Sequence, residues 1–155
     1  MKSAPVSNPK ILLVDDNRDG LLVRRSLLEE LGYRVEIAKS AEEGLKIFES
    51  STPDIVVTDF RMPRMDGLEL IHRIRLLNPH ARVILLSAFV EPLGLSEGNT
   101  GADAVIAKSA NEPAQLVRTV KRLLNRTTLR KPPGSTPKSG ANGAGGVNRS
   151  RATSR

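Results

Sequence analysis

The sequence contains no cysteine and few aromatic residues: its 155 residues include one Tyr, three Phe and no Trp. The absence of cysteine excludes disulfide bonds, thiolate metal sites and cysteine nucleophiles. No apolar run approaches the length of a transmembrane helix, and residues 1–8 lack the apolar core of a signal peptide. We therefore expect one domain with a buried core, located in the cytoplasm.

Acidic residues are missing from the last part of the chain, and this absence accounts for the net charge of +7. Residues 1–125 carry 17 basic and 17 acidic side chains, whereas residues 126–155 carry basic side chains only. This last segment is rich in Gly, Pro and Ser and has no aromatic residue that could stack on bases. We predict a flexible N-terminus over 1–8, a folded domain over 9–125 and a disordered basic tail over 126–155. We expect no contact of the tail with nucleic acid or membranes; binding to nucleic acid or an acidic partner is the alternative.

Five short apolar runs alternate with segments of helical periodicity, which is the pattern of a doubly wound α/β fold. The predicted strands cover residues 10–14, 34–38, 55–57 (ending in Thr58-Asp59), 82–86 and 103–107. The predicted fold is therefore a five-stranded parallel sheet with helices on both faces.

Four of the predicted helices start after residues that can cap a helix: Asn17, Ser40, Asp66 and Asn111. Ser40 and Glu43 have the pattern of a capping box. The first helix is predicted to run to about Leu31, with apolar residues at helical spacing: Leu21, Leu27, Leu28 and Leu31. The segment 89–101 contains Pro92, Gly94 and Gly98, so we expect a short or distorted helix there.

Polar residues end four of the predicted strands: Asp15-Asp16, Asp59, Ser87 and Lys108. The carboxyl ends of parallel strands lie at one edge of the sheet, where ligands bind in such folds. Clustered carboxylates repel one another and need a counter-charge, for which Mg²⁺ is the natural choice. Lys108 and the hydroxyl group of Ser87 could then hold phosphoryl oxygens. We infer that Asp59 accepts a phosphoryl group.

Residues 9–125 resemble a two-component response-regulator receiver domain. The resemblance depends on Asp15-Asp16, the motif Asp59-x-x-Met-Pro-x-Met-Asp-Gly67, Ser87-Ala88 and Lys108. It implies a flavodoxin-like fold with strand order 2-1-3-4-5 and a phosphoaspartate at Asp59. It also implies Mg²⁺ bound by Asp16, Asp59 and the backbone carbonyl of Arg61, with Asp15 acting through a bound water. The phosphoryl donor would be a histidine kinase or a histidine phosphotransfer protein.

The sequence departs from the receiver pattern at two positions. Ser109 stands where receivers usually have a proline after the lysine, and Val105 stands at the position of their switch aromatic residue. The resemblance makes Ser87 and Val105 the switch positions. Since a valine cannot swing between inward and outward positions as an aromatic ring does, we expect an atypical output face.

The leading hypothesis is a stand-alone receiver, monomeric or weakly dimeric, which signals to a downstream protein. It would promote only its own phosphotransfer and dephosphorylation, and so is not an enzyme acting on other substrates. One alternative is a receiver-like scaffold that works without phosphorylation. Another is a phosphatase-like hydrolase, but such enzymes generally carry a second acid where this sequence has Arg61.

Several other polar or sulfur-containing residues are assigned no chemistry. Asp54 is predicted to lie at the surface where a strand starts, and His72 and His80 are predicted to face solvent. Met62 and Met65 are predicted to support the loop after Asp59.

Overall fold

A computed structural model describes residues 8–129 of the chain. The described part contains five strands: β1 Lys10–Val14, β2 Arg34–Ala38, β3 Ile55–Asp59, β4 Val83–Ser87 and β5 Ala104–Ala107. It also contains six helices: α1 Arg18–Glu30, α2 Ala41–Ser51, α3 Gly67–Leu77, α4 Val90–Leu93, α5 Glu97–Thr100 and α6 Glu112–Leu129. Residues 1–7 and 130–155 lie outside the described residues, so the flexible N-terminus and the disordered tail stay predictions.

The five strands form one parallel sheet in the order β2-β1-β3-β4-β5. The predicted strand order and the predicted fold class are both confirmed. Side chains alternate between the two faces of the sheet, and β3 and β4 are buried along their whole length. None of the described helices is both long and apolar enough to cross a membrane.

Two hydrophobic clusters fill the space between the sheet and its helices. On one face, α2 and α3 contribute core residues that include Phe48, Leu70 and Ile74. On the other face, α1 and α6 contribute Leu21, Leu28, Leu116, Val120 and Leu123. Because both faces are covered, the strands cannot slide, and the positions of their carboxyl ends are fixed.

Capping interactions start the helices largely where the sequence indicates. The side chains of Asn17, Ser40 and Asp66 each accept a hydrogen bond from a backbone N–H in the first turn of α1, α2 and α3. The predicted capping box at Ser40 is wrong in one detail. The Glu43 carboxylate accepts its backbone hydrogen bond from the N–H of Lys39 and not of Ser40. The Glu43 carboxylate therefore still satisfies a backbone N–H at the start of α2, but this N–H belongs to Lys39, one residue before the predicted donor.

The segment 89–101 forms only two four-residue helices, α4 and α5, as its Pro and Gly content predicts. Gly94 and Gly101 end these helices with positive φ angles of 62° and 81°. Ser96 and Asn99 form a capping box at the start of α5. The segment is therefore ordered by local turns and contains no long helix.

The structure corrects the prediction that Leu31 belongs to the apolar face of the first helix, and it describes the last helix beyond residue 125. Leu31 follows the end of α1 and is 44% exposed, because the chain turns away there toward Gly32 with its φ angle of 97°. The described part of the last helix runs to Leu129, past residue 125, where the sequence predicts the end of the folded domain. Residues 126–129 contain no Gly or Pro, the two residues that oppose a helix most strongly.

Candidate functional site

Four strands bring polar residues to one edge of the sheet. These residues are Asp15 directly after β1, Asp59 at the end of β3, Ser87 at the end of β4 and Lys108 directly after β5. In the strand pairing, Thr58 lies beside Val14 and Asp59 beside Leu86. The ends of neighbouring strands are therefore level, and the residues that follow them share one edge.

Three carboxylates meet at this edge. One oxygen from each of Asp15, Asp16 and Asp59 lies within 4.8 Å of the others. Asp15 and Asp59 are buried, whereas Asp16 is exposed to solvent. Carboxylate oxygens, together with water, are the ligands that Mg²⁺ prefers. The donor set therefore fits a magnesium ion.

Lys108 supplies a positive charge to the carboxylates. Its Nζ atom forms an ion pair with Oδ1 of Asp59 and lies 3.8 Å from Oδ2 of Asp15. The backbone N–H of Lys108 donates to the carbonyl of Ser87 at 3.0 Å, which anchors the start of the loop after β5. Lys108 therefore points into the acidic cluster, although Ser109 and not proline follows it.

The environment of Asp59 changes the acidity of its carboxyl group. Burial raises the pKa of Asp59 above its usual value, the hydrogen bond from Lys108 lowers it, and the charge of Asp15 raises it again. The net direction is upward. A cation bound among these carboxylates would act in the opposite direction, because it favours their charged forms.

Asp15 is held through both of its oxygens. Oδ1 accepts a hydrogen bond from the backbone N–H of Asn17 at 2.9 Å. Oδ2 accepts one from Nη1 of Arg24 at 3.0 Å. The other side of the Arg24 guanidinium group donates to both carboxylate oxygens of Glu112, in the first turn of α6. The carboxylate of Asp15 therefore has a fixed orientation in this structure.

Arg24 and Glu112 belong to this site, and the sequence prediction did not include them. A signal for Arg24 is present, since it shares the buried face of α1 with Leu21 and Leu28. An arginine on the apolar face of a helix needs a buried partner. Burial acts to lower the pKa of Arg24, but the hydrogen bonds and charges of Glu112 and Asp15 outweigh it and raise that pKa.

The remaining predicted site residues lie around the carboxylates. Ser87 is buried, and its hydroxyl oxygen accepts a hydrogen bond from the N–H of Phe89 at 2.8 Å. Its hydroxyl hydrogen stays available for another acceptor. The guanidinium group of Arg61 stacks on the Phe89 ring, 4.4 Å from its centroid. The predicted roles of the Ser87 hydroxyl and of the Arg61 carbonyl stay predictions.

Val105 lies on β5 beside Leu85 and is partly buried against the core. Its backbone N–H donates to the carboxylate of Glu97 in α5 at 3.2 Å. This bond connects the short helical segment to the last strand of the sheet. The switch role of Val105 stays a prediction.

The residues for which the sequence predicts no catalytic or binding role are either exposed or packed in structural contacts. His72 and His80 are exposed, and the Asp54 carboxylate accepts a hydrogen bond from the N–H of Lys10 at 2.8 Å. Met62 is part of the hydrophobic core, and Met65 packs against it. These placements agree with the predictions.

Gly67 allows α3 to start directly against the end of β3. A Cβ atom there would overlap the carbonyl oxygen of Asp59 and lie 3.0 Å from Cα of Phe60, and neither backbone atom can rotate away. We expect Gly67→Ala to lower the free energy of unfolding by about 1–3 kcal/mol, the usual cost of overpacking. Urea unfolding followed by circular dichroism measures this change.

Gly98→Ala is the matched control for Gly67→Ala. The nearest atom to a Cβ at Gly98 is Oγ of Ser96 at 3.9 Å, and Gly98 also lies in a helix. We expect this substitution to leave stability unchanged or to raise it, as helix propensity predicts. Equal stability of Gly67→Ala and the wild type would show that the loop between β3 and α3 adjusts without cost.

Comparisons with known proteins agree with this geometry. The model of the response regulator receiver domain family matches residues 11–121. The response regulator MprA of Mycolicibacterium vanbaalenii is 37% identical over 125 residues, which are 77% of this chain and 52% of that protein. The chain thus spans about half the length of this relative, and 15% or less of the length of some other curated relatives that it matches.

Solved structures of receiver domains have the same fold. A CheY-like receiver domain protein from Methanospirillum hungatei superimposes with a TM-score of 0.74 at 32% identity, covering 81% of this chain and 100% of that one. The response regulator TrrA from Thermotoga maritima, solved in complex with Mg²⁺-BeF, superimposes with a TM-score of 0.68 at 35% identity. That match covers 74% of this chain and 98% of that one.

Proposed function

The chain belongs to the response regulator receiver domain family of two-component systems, and we propose that Asp59 is the residue that accepts its phosphoryl group. The observation that carries this proposal is the ion pair between Asp59 and Lys108 inside a cluster of three carboxylates. A buried carboxylate at the end of a central strand is accessible from the open edge of the sheet. A lysine beside it can stabilise the negative charge of an incoming phosphoryl group.

The proposed reaction transfers a phosphoryl group from a phosphohistidine. A carboxylate oxygen of Asp59 attacks the phosphorus atom, the P–N bond breaks, and the electron pair leaves with the imidazole nitrogen. The product is an acyl phosphate on Asp59. The ammonium group of Lys108 and the hydroxyl group of Ser87 donate hydrogen bonds to the phosphoryl oxygens. This reaction depends mainly on position and charge, which these residues provide.

The residues proposed to hold Mg²⁺ are Asp15, Asp16 and Asp59, together with the backbone carbonyl of Arg61. When bound, a magnesium ion supplies positive charge that offsets the carboxylates and the phosphoryl oxygens. The orientation of Asp15 by Asn17 and Arg24 supports this assignment, because a ligand held in advance loses less conformational entropy on binding.

We further propose that a histidine kinase or a histidine phosphotransfer protein is the donor and that the signal passes to a downstream protein. The chain would act as a monomer or weak dimer in the cytoplasm and turn over no substrate other than its own phosphoryl group. The two short helices of residues 90–100 and the valine at position 105 support an atypical output face. The hydrolase alternative is not favoured, since Arg61 stands at the position of the second acid and stacks on Phe89.

Incubation of the protein with Mg²⁺ and acetyl phosphate tests the proposed function. We expect one phosphate per chain that is stable in acid and labile in base, as an acyl phosphate is. Removal of the metal with EDTA at constant ionic strength should abolish the uptake, because the carboxylates then repel the donor. Intact-protein mass spectrometry measures both results. A wild-type protein that takes up no phosphate from any acyl phosphate or phosphoramidate donor would overturn the proposal.

A further inference from the structure

Arg24 connects the acidic site to α6 through three hydrogen bonds. Nη1 donates to Oδ2 of Asp15 at 3.0 Å, while Nε and Nη2 donate to the two carboxylate oxygens of Glu112 at 3.0 Å each. The side chains of Arg24, Asp15 and Glu112 are 11%, 3% and 11% exposed. Ion pairs this well shielded from water are weakly screened, so their charges act on neighbouring groups.

The geometry suits an arginine beside a small neighbour. A guanidinium group presents its donors in a planar fork, so it can bind one carboxylate through two parallel bonds and a second carboxylate through its remaining nitrogen. Gly20 lies one turn before Arg24, and a Cβ atom there would be 3.0 Å from Nη1 of Arg24 and 3.5 Å from Oδ2 of Asp15. The missing side chain at this position leaves room for the bond between Arg24 and Asp15.

Arg24 alone would have two opposite effects on a cation bound by Asp15. Its hydrogen bond fixes the carboxylate, but its positive charge repels the cation. Glu112 removes the second effect, because its carboxylate neutralises the guanidinium group from the opposite side. The network of four carboxylates and two cations then carries two negative charges, which a divalent ion balances.

We propose that Arg24 and Glu112 are positioning residues for the cation site: Arg24 holds Asp15, and Glu112 neutralises Arg24 so that the site keeps its affinity for Mg²⁺. Glu112 is well placed for this role, since a carboxylate in the first turn of a helix is stabilised by the helix dipole. The inference rests on the proposed function, because it concerns the cation used there.

The test compares the dissociation constant of Mg²⁺ in three variants of the full-length chain, measured by isothermal titration calorimetry. In Glu112→Gln the charge of Arg24 is no longer compensated, so we expect Mg²⁺ to bind about tenfold more weakly. In the double variant Arg24→Met/Glu112→Gln both charges are absent, but Asp15 also loses its hydrogen bond from Arg24. We therefore expect affinity to recover from the tenfold loss to about threefold weaker than the wild type. The control is Glu29→Gln, which removes an exposed carboxylate from α1 and should not change the affinity.

The recovery in the double variant separates this role from a structural one. If Arg24 and Glu112 only stabilised the fold, the double variant would bind Mg²⁺ no better than Glu112→Gln, and the inference would be overturned. A dissociation constant for Glu112→Gln equal to that for Glu29→Gln would also overturn it, even if the double variant failed to fold. A wild-type protein that binds Mg²⁺ but takes up no phosphate would instead contradict the proposed function and leave the comparison of affinities valid.

Discussion

Asp59→Asn is expected to take up no phosphate from acetyl phosphate in the presence of Mg²⁺. The amide is close in size to the carboxylate, so the fold should be retained, but a neutral amide oxygen is a poor nucleophile. Asn also replaces one of the three carboxylates of the proposed cation site with a neutral amide. We therefore expect weaker Mg²⁺ binding together with the loss of uptake. Intact-protein mass spectrometry and calorimetric titration measure the two effects.

Asp54→Asn is the matched control for Asp59→Asn. Asp54 directly precedes β3, at the opposite end of the strand that carries Asp59, and it is exposed. Its carboxylate binds the N–H of Lys10 and does not belong to the acidic cluster. We expect wild-type phosphate uptake in this variant. Equal uptake by Asp59→Asn and the wild type would show that another residue accepts the phosphoryl group.

The meeting of Asp15, Asp59 and Lys108 could be predicted because it depends mainly on backbone topology. Short β-branched and apolar runs that alternate with helical segments indicate a parallel sheet, and a parallel sheet has all its carboxyl ends at one edge. A residue placed directly after a strand therefore reaches that edge whatever the details of side-chain packing. The strand order of the central strands then brings β1 and β4 beside β3.

The contacts of Arg24, Glu112 and Phe89 could not be predicted in the same way. Arg24 and Glu112 are 88 positions apart, and their contact depends on how α1 and α6 pack on the sheet. The stacking of Arg61 on Phe89 depends on the conformations of two loops, which the strand pattern does not determine. The side chains that meet between two helices depend on how those helices pack, whereas the positions of the strand ends depend on the order of strands and helices along the chain.

Helix ends were harder to predict than helix starts for a related reason. The starts at Asn17, Ser40 and Asp66 have side chains that satisfy the free N–H groups, so the sequence itself marks them. A change in composition after residue 125 is not a helix stop, and α6 continues past it to Leu129, the last residue that the structure describes. A Gly in the left-handed conformation or a Pro shortly after the last turn is the usual sequence signal for the end of a helix.

Lys108→Met is expected to slow the phosphorylation of Asp59 by about two to three orders of magnitude, the usual loss when one charge-stabilising donor is removed from a reaction centre. Methionine keeps the length and the apolar part of the side chain but cannot donate to phosphoryl oxygens. The loss should appear in the rate at saturating Mg²⁺, because Lys108 is not one of the proposed metal ligands. Initial rates of phosphate uptake from acetyl phosphate measure this effect.

Lys121→Met is the control for Lys108→Met, since Lys121 is exposed on α6 and its loss changes the net charge by the same amount. We expect its rate to equal that of the wild type, which would separate the local effect of Lys108 from the effect of total charge on the encounter with an anionic donor. A Lys108→Met variant that reacts at the wild-type rate would mean that the ion pair with Asp59 orients the resting carboxylate and has no part in the transfer.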